Sequence, residues 1–163
     1  MSRLTTLRIG KQSHKFSAAH YTVFSSTERE RLHGHNYFVS IRIVAAMGPQ
    51  GFSADYNVYK NTLQTLCDEL DEYMLLAADC PHQSIEQEGE FLKVGFAGKD
   101  QYFRADETLI LPLVNVTVEE LSHYLLSQLC SRFHDPSVVE MELSVSSGPG
   151  QEASSIWRSS KEM

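Results

Sequence analysis

The segment HGHNYFVSIRIVAA, residues 33–46, decides how this chain is read. Tyr37, Val39, Ile41 and Ile43 recur at every second position over residues 34–46, the period of a strand with one buried face. Toward the N-terminus, residues 4–20 read as another strand, with Phe16, Ala18 and His20 on one face. Residues 21–32 between them are polar. They run through Ser25-Ser26-Thr27 into Glu28-Arg29-Glu30-Arg31 and read as a loop. Gly48-Pro49-Gln50-Gly51 closes the segment with turn chemistry.

Downstream of Asn57 the period changes. Tyr59, Leu63, Leu66, Leu70 and Met74 fall at helical spacing and predict a helix ending near Ala78, ahead of Pro81. Residues 91–112 return to strand character, with a turn at Gly98-Lys99-Asp100 and a stop at Pro112. A second helix follows. Thr117 is a good N-cap, Glu120 completes a capping-box pattern, and Leu121, Leu125, Leu129 and Phe133 form the apolar stripe. Asp135-Pro136 ends it. Met141, Leu143 and Val145 alternate in a further strand, which leads through Ser147-Gly148-Pro149-Gly150 to an extended tail around Ile156-Trp157. The expected architecture is α+β: an antiparallel sheet of about four to six strands with two helices on one face.

Length and composition bound the function. The 163 residues suit a single domain spanning 1–163, with 42% apolar and 21% charged residues. A formal net charge of -7 argues against non-specific nucleic-acid binding, which needs a basic footprint. No apolar run approaches the roughly 20 residues that span a bilayer, and no membrane partner is expected. Three cysteines, Cys67, Cys80 and Cys130, are an odd number without CxxC spacing, which fits a reducing, cytoplasmic setting.

The chemistry concentrates in His33-Gly34-His35. In an extended segment these two imidazoles project to one face, and Gly34 leaves the backbone uncrowded. His20, at the end of the neighbouring strand, supplies a third imidazole. Three neutral imidazoles with an open fourth position form the ligand set of a catalytic zinc site, so His20, His33 and His35 are the candidate metal ligands and Zn2+ the candidate cofactor. The alternative is a set of unrelated surface histidines.

Phe16-Ser17-Ala18-Ala19-His20 and His33-Gly34-His35-Asn36-Tyr37 closely resemble the two zinc motifs of the 6-pyruvoyltetrahydropterin synthase and 6-carboxytetrahydropterin synthase family. Gly51-Phe52-Ser53-Ala54-Asp55-Tyr56 is similar to the family's lead into its first helix. Leu70-Asp71 stands where the family has Leu-Asp-His, and Thr117-Val118-Glu119 resembles its Thr-x-Glu. The resemblance implies the tunnelling fold, with subunits joining their sheets into a homo-trimer or a stacked hexamer and active sites at the interfaces. It also implies a pterin-like small-molecule substrate: family members act on dihydroneopterin triphosphate, with zinc polarising side-chain oxygens while a base moves protons.

The chain departs from the family at three places. Arg29 takes the position of the catalytic cysteine, Glu72 that of the catalytic histidine, and Ser147 that of the glutamate that anchors the pterin ring. A guanidinium stays protonated and cannot act as a base. Asp71 with Glu72, Glu28 or Glu30 are therefore the candidate proton-handling residues, and Thr117, Glu119 and Ser147 the candidate substrate-binding residues. Alternatively, Glu28 and Glu30 belong to a solvated charge run, Glu72 to an exposed helix face, and Glu119 to a favourable first helical turn. Cys80 with His82 could restore a thiol–imidazole pair, and Glu152 could replace the ring anchor. The leading expectation is a zinc-dependent lyase acting on a dihydropterin side chain. The other reading is a non-catalytic zinc-binding paralogue that binds a pterin-like ligand or serves as an oligomeric scaffold. A zinc hydrolase is a third reading with no positive support.

Overall fold

The computed structural model describes residues 3–53, 55–132 and 134–160. Ala54 of the lead-in motif and Phe133 of the second helix's stripe lie outside the described residues. The elements run β1 (Leu4–Ile9), β2 (Lys15–His20), β3 (His33–Ala46), α1 (Tyr56–Asp68), β4 (Tyr73–Ala77), β5 (Gln83–Glu88), β6 (Phe91–Phe96), β7 (Lys99–Arg104), β8 (Thr108–Leu111), α2 (Val118–Arg132), β9 (Val138–Gly148) and β10 (Gln151–Arg158). The class is α+β.

The long strand β3 is the axis of a seven-stranded sheet ordered β10-β9-β3-β2-β4-β8, with β1 also paired to β3. Its two halves take different partners on one side: Ile9 faces Ile41 in β1, while Phe16 faces Tyr37 and His20 faces His33 in β2. On its other side Val39, Ile41 and Ile43 face Val145, Leu143 and Met141 of β9. These pairs share one buried face, and fully buried Leu63, Leu66, Leu121, Leu125 and Leu129 from α1 and α2 pack in the same core. The opposite face is polar. There Arg42 donates to Glu142 Oε2 at 2.7 Å and to Glu140.

Several expectations need correction. Residues 4–20 form two strands, because the chain leaves the ladder after Ile9. The amide of Lys11 donates to His14 Nδ1 (3.2 Å), the amide of His14 donates back to the Lys11 carbonyl (2.9 Å), and the His14 carbonyl then accepts from the Val39 amide (2.9 Å).

Helix α1 stops at Asp68, ten residues before Ala78. Met74-Leu75-Leu76-Ala77 are consecutively buried, as in a strand covered on both faces. They form part of β4, parallel to both β2 and β8. Glu72, at φ 65°, turns the chain between helix and strand. The sheet therefore has seven strands and two parallel pairings, where four to six antiparallel strands were expected.

The segment before β8 holds a separate three-stranded sheet, β5-β6-β7. Its β6–β7 turn falls at Ala97 (φ 50°) and Gly98 (φ 75°), just ahead of the expected Gly98-Lys99-Asp100.

Helix α2 keeps half of its capping box. Thr117 Oγ1 accepts from the Glu120 amide at 3.3 Å, but the Glu120 carboxylate turns to the Val114 amide at 3.1 Å. Its C-terminal Arg132 grips Glu69, just past α1, through two hydrogen bonds of 2.9 and 2.6 Å. The last turn lies at Pro149-Gly150, since Ser147 and Gly148 still belong to β9. Among the described residues no helix is long and apolar enough to cross a membrane.

Candidate metal centre

The antiparallel register of β2 and β3 sets His20 opposite His33 and Ala18 opposite His35. Strand alternation then turns all three imidazoles to the core-facing side. A Cβ on Gly34 would stand 3.1 Å from the Ala18 carbonyl oxygen, so the absence of a side chain there lets the strands approach at the site. The ring centroids lie 4.6 to 5.2 Å apart, and one nitrogen from each ring falls within 4.8 Å of the others.

Hydrogen bonds determine which nitrogens face inward. His20 Nδ1 lies 2.9 Å from the Val116 carbonyl, and His33 Nδ1 lies 2.7 Å from the Arg31 carbonyl. A carbonyl only accepts, so each Nδ1 carries the proton and each Nε2 presents its lone pair. Nε2 of His20 is buried with no hydrogen-bond partner among the described residues, an orphaned acceptor. Nε2 of His33 lies 3.0 Å from Nε2 of His35. Nitrogens on a tetrahedral zinc ion at about 2.0–2.1 Å stand about 3.3 Å apart, close to this spacing. Burial first, then the neighbouring imidazoles, hold His20 below its ordinary pKa, in the neutral form that ligates. The donor set fits zinc.

Beneath the histidines, the Tyr37 ring lies 5.8 Å from His20 and 5.6 Å from His35, and stacks on Phe16 at 5.0 Å. Its hydroxyl is buried without a partner among the described residues, and burial pushes the phenol well above its usual pKa.

The loop 21–32 is ordered by its own hydrogen bonds. Val23 and Arg29 form a bridge pair. The Glu30 amide donates to the Thr22 carbonyl at 2.8 Å, and the Thr22 amide donates to Glu30 Oε2 at 2.9 Å. Glu30 Oε2 also lies 3.9 Å from His33 Nε2. Burial pushes this carboxyl up, but the Thr22 hydrogen bonds and the adjacent imidazoles outweigh it and hold the group below its ordinary value. The carboxylate nearest the histidines is thus ionised at neutral pH.

Asn115, which the sequence reading did not single out, fastens this loop to the entry of α2. Its Oδ1 accepts from the Val23 amide (3.0 Å) and the Val116 amide (3.1 Å), and its Nδ2 donates to the Val23 carbonyl (2.8 Å). One side chain therefore holds both the loop that carries Glu30 and the peptide that orients His20.

The other candidates lie elsewhere. Glu28 is exposed at the loop tip, where its carbonyl accepts from Phe24 and Ser25. Asp71 Oδ1 accepts from the Ser17 amide at 2.7 Å, and the Glu72 amide donates to the Ser17 carbonyl at 2.7 Å, which fastens this turn to β2. The Glu72 side chain is not on a helix face. Glu72, His35, Asn36 and Arg104 line a cleft of about 550 Å³. Thr117 caps α2, Glu119 is exposed in its first turn, and the Ser147 hydroxyl donates to Gln151 at 3.2 Å. Cys80 is buried and His82 exposed, with no hydrogen bond between them. Glu152 pairs with Ser146 across the β9–β10 hairpin.

Comparison with known proteins bears on the same elements. The family model for 6-pyruvoyl tetrahydropterin synthase matches residues 9–155. A Methanocaldococcus jannaschii protein provisionally named 6-carboxy-5,6,7,8-tetrahydropterin synthase is 27% identical over 143 residues, which cover 85% of this chain and 87% of that one. Among solved structures, the Plasmodium vivax 6-pyruvoyltetrahydropterin synthase superposes with a TM-score of 0.91 at 26% identity, covering 96% of this chain and 99% of that one. Two further structures of that enzyme carry a glutamate replaced by cysteine or alanine and are described as catalytic-residue mutants. The Plasmodium falciparum counterpart superposes with a TM-score of 0.88 at 25% identity, covering 97% and 99%.

Proposed function

The chain belongs to the 6-pyruvoyl tetrahydropterin synthase family, and from that premise we propose that it is a zinc-dependent lyase acting on the side chain of a dihydropterin, with Glu30 as its base. One observation carries the reading: three imidazole nitrogens converge within 4.8 Å of one another, with an ionised carboxylate 3.9 Å from one of them.

His20, His33 and His35 would hold the metal. When bound, zinc would supply Lewis-acid polarisation of a substrate hydroxyl or carbonyl. Glu30 accepts the proton released from the side-chain hydroxyl or the adjacent carbon. The Thr22 amide holds the carboxylate in place for that transfer. A glutamate as base is consistent with the Plasmodium vivax relative, whose catalytic-residue mutants replace a glutamate. Arg29 cannot act as a base. Asp71 is engaged by Ser17, and Glu72 lies along the adjoining cleft, where it borders the substrate instead of starting the reaction. Thr117 and Glu119 at the start of α2 are assigned to the pterin ring, with Ser147 as a weaker neutral contact.

The active assembly is a homo-trimer or a hexamer. The outer edges of β1 and β10 carry no ladder partner among the described residues, which suits sheets that join edge to edge.

The test is to incubate zinc-loaded protein with dihydroneopterin triphosphate or dihydroneopterin and to separate the products. Turnover is expected for at least one of them, absent in H35A and lowered about 100- to 10,000-fold in E30Q, with E30Q retaining its metal. Failure to turn over either compound, together with a raised melting temperature in their presence, would defeat the enzyme reading in favour of a pterin-binding paralogue.

A further inference from the structure

Arg29 stands where the family's catalytic cysteine would be, and its side chain turns away from the histidines. In the extended Val23–Arg29 pair, residues 29 and 30 project to opposite sides. The Arg29 guanidinium lies 4.0 Å from the Tyr21 ring centroid and 5.4 Å from that of Phe96, and it donates to Gln101 Oε1. Phe96 ends β6 and Gln101 lies in β7, so this side chain ties the loop to the three-stranded sheet. The second wall of the clamp is also fixed. Tyr21 donates to Gln83 Oε1 at 2.9 Å, and Gln83 Nε2 donates to the Ala77 carbonyl at 2.9 Å. On the reverse side of the same backbone, Glu30 closes onto Thr22 and faces His33.

We propose that Arg29 is a positioning residue for Glu30: its stacked guanidinium anchors one side of the loop, and strand alternation thereby aims the Glu30 carboxylate at the metal centre. A planar cation against two aromatic rings, with a hydrogen-bond acceptor beside it, holds its place more tightly than a flexible ammonium would. The proposal rests on the assignment of Glu30 as the base.

The experiment compares zinc-loaded wild type, R29M, R29K, E30Q and R29M/E30Q as full chains. With dihydroneopterin triphosphate, R29M is expected to lose about 100-fold in kcat with KM within about twofold, as for a reacting group displaced by about an ångström. Its metal content stays equal to that of wild type. In the E30Q background, R29M is expected to change kcat by less than about twofold, since both act through one carboxylate. R29K, which keeps the cation over Tyr21, shows the same split in smaller degree and serves as the readout should R29M fail to fold.

Amide exchange at Thr22 gives a readout independent of turnover. It is expected to rise about tenfold in R29M, while exchange at Val94 in the three-stranded sheet stays unchanged. Unchanged kcat, a fully additive double variant, or a joint loss of metal and of protection at Val94 would each overturn the proposal. Should wild type prove inactive, the lyase reading falls, and Thr22 exchange alone decides the role of Arg29: faster exchange supports it and unchanged exchange refutes it.

Discussion

His20 Nδ1 donates to the carbonyl of Val116 at 2.9 Å, so the last residue of β2 is oriented by the peptide that leads into α2. A ligand held by its distal nitrogen has a fixed tautomer and ring plane before any metal arrives. Several consequences follow from that link and its surroundings.

The first concerns Asn115, which holds the Val116 amide. N115A frees that peptide and the Val23 loop together. Zinc affinity, measured by competition with a chromogenic chelator, is expected to fall about 10–100-fold, the usual effect of removing a residue that orients a ligand.

Metal removal should reach the fold as well. Ligand that binds only the native state adds about 2.7 kcal/mol at a hundredfold excess over Kd. Chelation is therefore expected to lower the melting temperature of wild type by several degrees and to leave that of H20A unchanged. Differential scanning fluorimetry with and without chelator reads the difference.

Gly34 tests the strand spacing at the site. An added Cβ would meet the Ala18 carbonyl oxygen at 3.1 Å, and β2 would have to shift away from β3. G34A is expected to cost about 1–3 kcal/mol, as for other overpacked sites, and to weaken zinc binding in parallel. Urea unfolding of the metal-free and metal-loaded forms separates the two effects.

His14 predicts a response to acid. It is 2% exposed, and burial first, then Lys11, hold its pKa below the ordinary 6.5. A group with a lowered folded pKa takes up protons more readily unfolded, so stability falls as pH drops below 6.5 toward the lowered value. In H14N an amide oxygen replaces Nδ1 as acceptor for the Lys11 amide, and the variant is expected to show a shallower loss over that window. Chemical denaturation of the metal-free protein across that pH range measures it, with the wild-type and H14N slopes compared.

Period-two patterning made the β2–β3 pair and its three histidines legible, because register and alternation together bring Phe16, His20, His35 and Tyr37 to one face. The same method failed at β4. Leu70 and Met74 continue the spacing of Leu63 and Leu66, and nothing in one sequence announces that Glu72 leaves the helical region. β5 was invisible because Gln83–Glu88 carries one apolar residue, Ile85, among polar ones. The run Glu28-Arg29-Glu30-Arg31 admits two readings, a solvated charge run or the source of a base, and the fold sends Arg29 to Tyr21 and Glu30 to Thr22. Alternation within that run was the available signal, but using it required knowing that the loop folds back to pair Val23 with Arg29. Asn115 had no signal at all, since an asparagine before a helix reads as ordinary turn chemistry.

X-ray absorption at the zinc edge on freshly purified protein, with elemental analysis of the same sample, bears most directly on the metal centre. One zinc per chain is expected, with three nitrogen neighbours at about 2.0–2.1 Å and a lighter-atom fourth ligand from solvent. A metal-free protein that also fails to take up added zinc, or a bound zinc with sulfur neighbours, would contradict it.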